Sequence, residues 1–302
     1  MTTVNTAALG TPANNPPPRR RWLGYPLGVA RRSPTFAIGF LIVLSFLLLA
    51  IAADVIAPFN PTRAFPYAVL RPPGAEFLLG SDGNGMDVLS RVIHGARYAF
   101  GIAVPAGLIM LGIGVPLGIL AGFKGGLIDE ILLRVLDILR AFPTIILALA
   151  VVAATGQSLL NMVLVIGLLD SPIFARVVRA EVLALRESTF VKAALAIGNP
   201  PWRIMLVHVF PNAILGATAQ LPMRMAWAVR ISATLAFIGV GIQAPTPEWG
   251  AMIRQGAEFV MTGEWWVAVF PGLALMTLVL GLNFLGDGLS DILDPRRRAG
   301  GK

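Results

Sequence analysis

Long runs of uncharged, apolar residues constrain the fold of this sequence more than any other feature. Residues 36–53 (FAIGFLIVLSFLLLAIAA) and 100–123 (FGIAVPAGLIMLGIGVPLGILAGF) contain no charged side chain. About 20 apolar residues in a helix cross a hydrocarbon core about 30 Å thick. Charged residues make up only 13% of the 302 residues, whereas soluble domains usually carry about a quarter. The sequence therefore predicts an all-α integral membrane protein.

Six membrane-spanning helices are predicted from the alternation of apolar runs and charged loops. Arginines precede the first run (Arg31 and Arg32) and follow the last (residues 296–298), and basic residues mark the cytoplasmic side of membrane proteins. We therefore expect two cytoplasmic termini: a disordered, Pro-rich tail (1–34) and a basic tail (291–302). The predicted spans are residues 35–57, 100–123, 141–154, 159–179, 214–240 and 267–285, the last five within a core domain of residues 98–290.

A polar segment at residues 58–97 is predicted to be an external loop with a short amphipathic helix at residues 87–97. Its sequence GSDGNG, at residues 80–85, looks only superficially like a phosphate cradle or part of a calcium loop, because the spacing fits neither. We expect it to form turns, and we assign no metal-binding role to Asp82 or Asp87. The segment also holds four arginines that conflict with the charge rule: Arg63, Arg71, Arg91 and Arg97.

The composition argues against several kinds of reactive site. The chain has no cysteine, so it cannot form a disulfide, a thiolate nucleophile or a cysteine-ligated metal site. Its two histidines, His94 and His208, are far apart in the sequence, which argues against a metal cluster. No glycine-rich loop ends in Lys-Ser or Lys-Thr, so we expect no ATPase site and no cofactor in this chain. The net charge of +8 is attributed to cytoplasmic flanks rather than to nucleic-acid binding.

The most polar long stretch of the second half, FVKAALAIGNPPWRIMLVHVFPN, lies in a predicted cytoplasmic segment, residues 181–211. Ala193 and Ala194 would give a helix one smooth face. Gly198 stands where a glycine commonly ends a helix, since glycine tolerates the left-handed backbone conformation found there. The pattern predicts a helix followed by a tight turn.

A second helix is predicted after this turn. Asn199 is suited to be its N-cap, and Pro200 to occupy its first position, where the missing N–H has little effect. Pro211 is expected to end it. Composition alone does not distinguish this helix–turn–helix from an ordinary cytoplasmic loop.

Three charged residues lie well inside predicted spans, away from the span ends, where a charge must face protein or water. Arg230 lies near the predicted midplane of the fifth helix, and small neighbours such as Ser232 leave room beside it for a hydrated path. Arg224 lies in the first half of the same helix, and Asp170 lies in the fourth. Two interpretations are open: ion pairs within the chain or with a partner, or a solute pathway at Arg230 and Ser232.

The segment KAALAIGNPPWRIMLVHVFPN closely resembles the EAA…G…P loop of permease subunits from ATP-binding-cassette (ABC) importers. Ala193 and Ala194 stand at its two alanines, and Gly198 and Pro211 have its separation. Lys192 departs from the pattern, since the family typically has Glu there. Five more segments, in collinear order between about residues 31 and 298, resemble the C-type subunit of dipeptide/oligopeptide permeases: LLGSDGNGMDVLSRVIHGAR, GLIDEILLRVLDILRAFP, ARVVRAEVLALRE, FIGVGIQAPTPEWGAMI and GLNFLGDGLSDILDP.

This resemblance implies a type I ABC importer transmembrane domain in a bacterial inner membrane. It implies a second permease subunit, two ATP-binding subunits that use ATP, and an extracytoplasmic solute-binding protein as partners. It also implies that residues 190–211 form the coupling helix that docks on an ATP-binding subunit. Nickel, glutathione or opine-like solutes are alternatives to peptides within the family. Outside it, the alternatives are a scaffold or a self-contained secondary transporter, although we see no internal repeat of the kind common in such carriers.

Overall fold

The chain folds into a bundle of helices in the computed structural model, which describes residues 34–293. Within that range the strand-like pairing is limited to an isolated β-bridge between Ser81 and Asp87. The two predicted tails lie outside the described residues, apart from Pro34 and residues 291–293. The helices are α1 (Pro34–Ile51), α2 (Ala53–Ile56), α3 (Val88–Lys124), α4 (Gly126–Ala141), α5 (Thr144–Thr155), α6 (Leu159–Arg186), α7 (Thr189–Ala196), α8 (Pro201–Ile204), α9 (Phe210–Ile238), α10 (Trp249–Ala257) and α11 (Trp266–Leu293), with a π turn at Met205–Val209 and 3₁₀ turns at Pro66–Ala68 and Val260–Thr262.

Six membrane crossings follow from the lengths and directions of these helices. α1, α3, α6, α11 and the continuous helix Pro201–Ile238 are each long and apolar enough to span a bilayer. Gly114 and Gly118 of α3 lie against Ser171 and Ala175 of α6 in the same order, so α3 and α6 run parallel. α4 and α5 must therefore carry the chain back across the membrane between them. The predicted six-helix, all-α fold is confirmed.

The third crossing is a bent pair of helices, rather than the single span predicted over residues 141–154. The break falls between the last residue of α4, Ala141, and the first residue of α5, Thr144, and the bend between the two helices is 79°. Pro143 causes the break, because its ring disfavours the α conformation at Phe142, whose ψ is 142°. The 12 residues of α5 alone cover only about 18 Å, so α4 must contribute to the crossing.

The second crossing begins earlier than predicted. The expected amphipathic helix at residues 87–97 and the apolar span that follows it are one helix, α3. Asp87 caps this helix, because its carboxylate accepts a hydrogen bond of 2.8 Å from the backbone N–H of Ser90. No proline lies between this cap and the apolar run, so nothing interrupts the helix before the bilayer.

The arginines that conflicted with the charge rule are largely offset by ion pairs at one end of the bundle. Arg91 is buried and also donates to the carbonyl oxygens of Pro61 and Pro245, at 3.1 and 3.2 Å. It thereby joins the segment after α2 to the loop after α9. The pairs are Arg71–Glu76 (3.0 Å), Arg91–Asp82 (3.3 Å) and Arg97–Asp54 (2.8 Å).

The GSDGNG sequence forms the predicted turns. One carboxylate oxygen of Asp82 accepts hydrogen bonds of 2.9 Å from the backbone N–H groups of Asn84 and Met86. Its other oxygen faces the guanidinium of Arg91. The carboxylate of Asp82 therefore stabilises a turn, as that of Asp87 stabilises a helix end.

Glycines set the close approach of α3 and α6, which form the centre of the main apolar core. Gly114, Gly118 and Gly122 recur every four residues along the face of α3 that meets α6. A Cβ atom on Gly118 would lie only 2.5 Å from the carbonyl oxygen of Ala175. Small residues at this spacing let helix backbones touch inside a membrane.

Candidate functional site

The first candidate site is the segment from α7 through the π turn to Pro211, residues 189–211, which we call the coupling segment. α7 ends in a Schellman motif: the N–H of Gly198 bonds the carbonyl of Leu195 at 3.0 Å, and the N–H of Asn199 bonds that of Ala194 at 3.2 Å. Gly198 has a φ of +81°, which residues with a side chain rarely adopt. The predicted helix-terminal glycine is confirmed.

The start of the second helix was predicted one residue too early. Pro200 is the N-cap of α8, and Pro201 follows at its first position. Asn199 does not cap α8, because its backbone N–H closes the Schellman motif of α7 instead. The turn between the two helices is therefore fixed by hydrogen bonds from the first helix and by two rigid proline rings.

Pro211 does not end the second helix, contrary to the prediction. It lies in the first turn of α9, and the helix continues to Ile238. In the π turn before it, the N–H of Phe210 reaches the carbonyl of Met205. This wider turn shifts the register of the backbone hydrogen bonds. The missing N–H of Pro211 therefore falls where it is tolerated.

The buried face of the coupling segment is part of the core of the crossing helices. Val191 and Ala194 of α7, Ile204 of α8 and Val209 of the π turn are all buried. They pack in the same apolar cluster as side chains of α3, α6 and α9. A displacement of this segment would therefore be transmitted directly to three crossing helices.

The exposed face of the coupling segment is apolar. Ile197 at the turn is 80% exposed, and Trp202 of α8 is 59% exposed. Contiguous exposed apolar surface commonly marks a protein contact, and this patch lies at the ends of the crossing helices. Further exposed apolar side chains here are those of Phe190, Leu195, Leu206 and Val207.

The two residues that open the EAA-like pattern face outward. The ammonium of Lys192 lies 2.9 Å from the carboxylate of Glu187, and both side chains are exposed. The hydrogen bond from Lys192 lowers the pKa of Glu187. Ala193 is exposed, whereas Ala194 packs into the core. Of these three residues, Ala194 therefore anchors α7 in the core, and Lys192 and Ala193 lie on its exposed side.

The charged residues of the spans separate into a pair and a single arginine. Asp170 of α6 and Arg224 of α9 form an interhelical ion pair at 3.5 Å, one of the two arrangements considered for them. Arg230 is exposed on α9 and forms no ion pair within residues 34–293. Phe237, two turns further along, is exposed on the same face. This face of α9 is open to a partner or to a pathway.

Ser232 does not share that open face. It is 2% exposed, and its hydroxyl donates to the carbonyl of Val229 at 2.9 Å. It lines a small internal cavity of about 10 Å³ beside Glu248 and Trp249. The structure therefore does not bring Ser232 and Arg230 together.

Glu248 is a buried carboxylate that the sequence analysis did not single out. It is 4% exposed and caps α10, accepting a hydrogen bond of 2.9 Å from the N–H of Ala251. Burial raises its pKa to about 7, although the backbone hydrogen bonds oppose the shift. An acidic residue directly before an apolar, helix-forming run was a signal for this cap.

A second missed feature is a cavity of about 180 Å³ at the end of α9 opposite to the coupling segment, which we call the outer cavity. It lies between the end of α9, the loop that follows it, α10 and the loop before α6. Its polar lining consists of one arginine and three glutamines: Arg254, Gln157, Gln243 and Gln255. Gln157 lies more than 80 positions before the other three in sequence, so no local motif could have indicated that it joins them.

Comparison with known families identifies the chain. The family of binding-protein-dependent transport system inner membrane components matches residues 114–299, more than half of its length. The chain belongs to this family. The dipeptide transport system permease protein DppC of Alkalihalophilus pseudofirmus is 37% identical over 99% of this chain and 100% of its own. The di/tripeptide transport system permease protein DppC of Pseudomonas aeruginosa is 38% identical, over 85% of this chain and 87% of its own. The glutathione transport system permease protein GsiD of Pectobacterium atrosepticum is 36% identical, over 86% of both chains.

Membership of this permease family confirms the resemblance found in the sequence. The matched residues, 114–299, run from the middle of α3 past the end of α11. They include the coupling segment, α9 and the outer cavity. Both candidate sites therefore lie in the part of the chain that defines a permease subunit.

Proposed function

We propose that this chain is one of two permease subunits of an ABC importer for dipeptides and related short peptides. It forms half of the translocation pathway through a bacterial inner membrane. Two partner subunits bind and hydrolyse ATP, and an extracytoplasmic binding protein delivers the solute. The names of the dipeptide and di/tripeptide permeases, which align over most of the chain, support this solute class.

The observation that carries the proposal is the division of the coupling segment into two faces. Its exposed face, around Ile197 and Trp202, offers an apolar surface to an ATP-binding subunit. Its buried face, including Val191 and Ile204, is part of the core of the crossing helices. Closure of the ATP-binding subunits would move the exposed face, and tight packing would pass that movement to α3, α6 and α9.

We propose that the coupling segment is cytoplasmic, together with both ends of the chain. Six crossings bring the start of α1 and the end of α11 to the same side, and Phe36 of α1 indeed packs against Gly288 of α11. The coupling segment lies between the fourth crossing, α6, and the fifth, α9. Four crossings separate it from the start of α1, so it lies on the same side of the membrane. Basic residues near the helix ends on that side favour the cytoplasmic side: Lys124, Arg176, Arg179, Arg186 and Arg203.

Arg230 is proposed to face the translocation pathway at the junction with the second permease subunit. Its guanidinium is exposed and has no ionic partner within residues 34–293. A charge at membrane depth needs protein or water around it, and both are supplied where two permeases enclose a hydrated path. An ion pair with the second permease subunit is the competing arrangement.

Uptake by the purified assembly tests the proposed function. The two permease and two ATP-binding subunits would be reconstituted in liposomes with the binding protein outside and ATP inside. We expect accumulation of a radiolabelled dipeptide that requires both ATP and the binding protein. Glutathione is the comparison solute, because one relative is a glutathione permease. Uptake of glutathione but not of dipeptides would replace the peptide assignment.

A further inference from the structure

The outer cavity carries a positive charge that no carboxylate of its own lining offsets. Its lining combines the guanidinium of Arg254 with the amide groups of three glutamines, and it includes no Asp or Glu. Within residues 34–293, Arg254 forms no ion pair, whereas three other arginines at this end of the bundle do: Arg71, Arg91 and Arg97. The cavity is therefore suited to bind an anion with hydrogen-bonding capacity.

The nearest acidic residues on α10 leave Arg254 available. Glu248, six positions earlier, is buried and accepts a hydrogen bond from the N–H of Ala251, at the start of its own helix. Glu258, four positions later, is exposed and forms no ion pair with Arg254. Arg254 is itself exposed, and neither acidic residue that flanks α10 neutralises its guanidinium.

Local backbone structure places the guanidinium against the end of α9. Gly239 ends that helix with a φ of +102°, and a Cβ atom there would lie 2.7 Å from Nη1 of Arg254. The side-chain amide of Gln157 donates to the carbonyl oxygen of the same glycine at 3.2 Å, which ties the loop before α6 to the cavity wall. Glycine is required at position 239 both for the helix end and for the space that Arg254 occupies.

We propose that the outer cavity receives a carboxylate of the solute as it enters from the outer side, with Arg254 as the binding group. The inference rests on the proposed function, because it names the chemical group by which a peptide is received. An arginine can bind a carboxylate through two parallel hydrogen bonds, and the glutamine amides can bond the neighbouring peptide group.

The size of the cavity suits one end of a small molecule. Its volume of about 180 Å³ is below the roughly 300–1,000 Å³ of complete ligand pockets. It therefore fits the terminal residue of a peptide, with the remainder held elsewhere in the pathway.

The test compares a dipeptide with its C-terminal amide, which lacks the carboxylate. Uptake would be measured in liposomes containing the complete assembly, at saturating concentrations of the binding protein loaded with each peptide. For Arg254→Gln we expect uptake of the free acid to fall about tenfold, and uptake of the amide to change less than about twofold. Arg254→Lys should recover part of the free-acid uptake, because it keeps the charge without the paired donors.

Arg63→Gln is the matched control. Arg63 also carries an outer positive charge without a carboxylate partner among the described residues, and its guanidinium lies over the ring of Phe65 at 4.8 Å. If removal of the Arg63 charge also lowered free-acid uptake selectively, the effect would come from the overall positive charge at this end of the protein and not from the outer cavity. We expect Arg63→Gln to transport both peptides at the wild-type rate.

Several results would overturn the inference while leaving the proposed function intact. They are unchanged uptake of the free acid by Arg254→Gln, an equal loss for both peptides, a weakened affinity for the binding protein, and loss of a subunit from the purified assembly. The last two would assign Arg254 to a protein interface. If the wild-type assembly does not import the free-acid dipeptide, the proposed function is wrong, and this inference is wrong with it.

Discussion

Glu248 is buried at the N-terminus of α10, and burial raises the pKa of its carboxyl to about 7. The unfolded chain releases this proton near pH 4.5. Between these two values the folded state binds more protons than the unfolded state, so folding stability falls as the pH rises through this range. Well above pH 7 the contribution of the protonated Glu248 carboxyl to folding stability is fully lost.

Glu248→Gln is expected to remove this loss, because a glutamine oxygen can still accept the hydrogen bond from the N–H of Ala251. Thermal unfolding in detergent should show the variant more stable than wild type at pH 8, by up to about 3 kcal/mol, with the difference vanishing near pH 5. Glu258→Gln, exposed at the opposite end of α10, is the control and should show no pH-dependent difference. A Glu248→Gln advantage of equal size at both pH values would contradict this account.

Gly198→Val is expected to impair transport through backbone strain alone. Gly198 has a φ of +81°, and no atom would contact a Cβ atom placed there, so the substitution creates no clash. A β-branched residue in this conformation costs at least about 1–2 kcal/mol, which would distort the turn of the coupling segment. ATP-driven uptake should fall at least severalfold while membrane insertion is unchanged. Gly272→Val, also in open space but without positive φ, is the control; equal uptake by the two variants would refute the role of the turn.

At the scale of elements, α3 and α6 form the rigid pair against which the coupling segment packs. Gly118→Ala should separate them, because its Cβ atom would meet the carbonyl oxygen of Ala175 at 2.5 Å. Gly112→Ala, on the same helix, would meet nothing within 4 Å, and alanine normally stabilises a helix interior by about 0.5–1 kcal/mol relative to glycine. We expect the unfolding temperature to fall for Gly118→Ala and to stay level or rise for Gly112→Ala. The reverse order would contradict the packing described here.

Elements whose signals are local were predictable from the sequence. The apolar runs gave the number and order of the crossings, and Gly198 marked the end of α7, because each depends on residues close together in the chain. The errors occurred where backbone hydrogen bonding was decided by neighbouring elements. Pro211 resembles a helix stop, but the π turn before it lets the helix continue. The outer cavity depends on contacts between distant segments, which no local pattern encodes.

At the scale of the whole molecule, the open face of α9 is where this subunit would meet the second permease and the solute. Arg230→Met keeps the length of the side chain and removes its charge. If Arg230 faces the pathway, the assembly should remain intact and uptake should fall severalfold more for acidic than for neutral dipeptides. Copurification of all subunits and uptake of both peptides are the measurements. Loss of assembly, or an equal loss for both peptides, would assign Arg230 to an ion pair with the second permease.

The central claim is that the coupling segment is the contact through which ATP-binding subunits move this permease. The chain has no cysteine, so an introduced thiol is the only one in this subunit. Ile197→Cys places it at the exposed turn, and Val55→Cys, 88% exposed at the opposite end of the bundle, is the control. The measurement is disulfide crosslinking in the complete assembly to cysteines placed one at a time along the groove of the ATP-binding subunit. We predict a crosslink from position 197, with a yield that changes when ATP is bound, and none from position 55. Absence of any crosslink from position 197 in an assembly that still imports peptides would contradict the account.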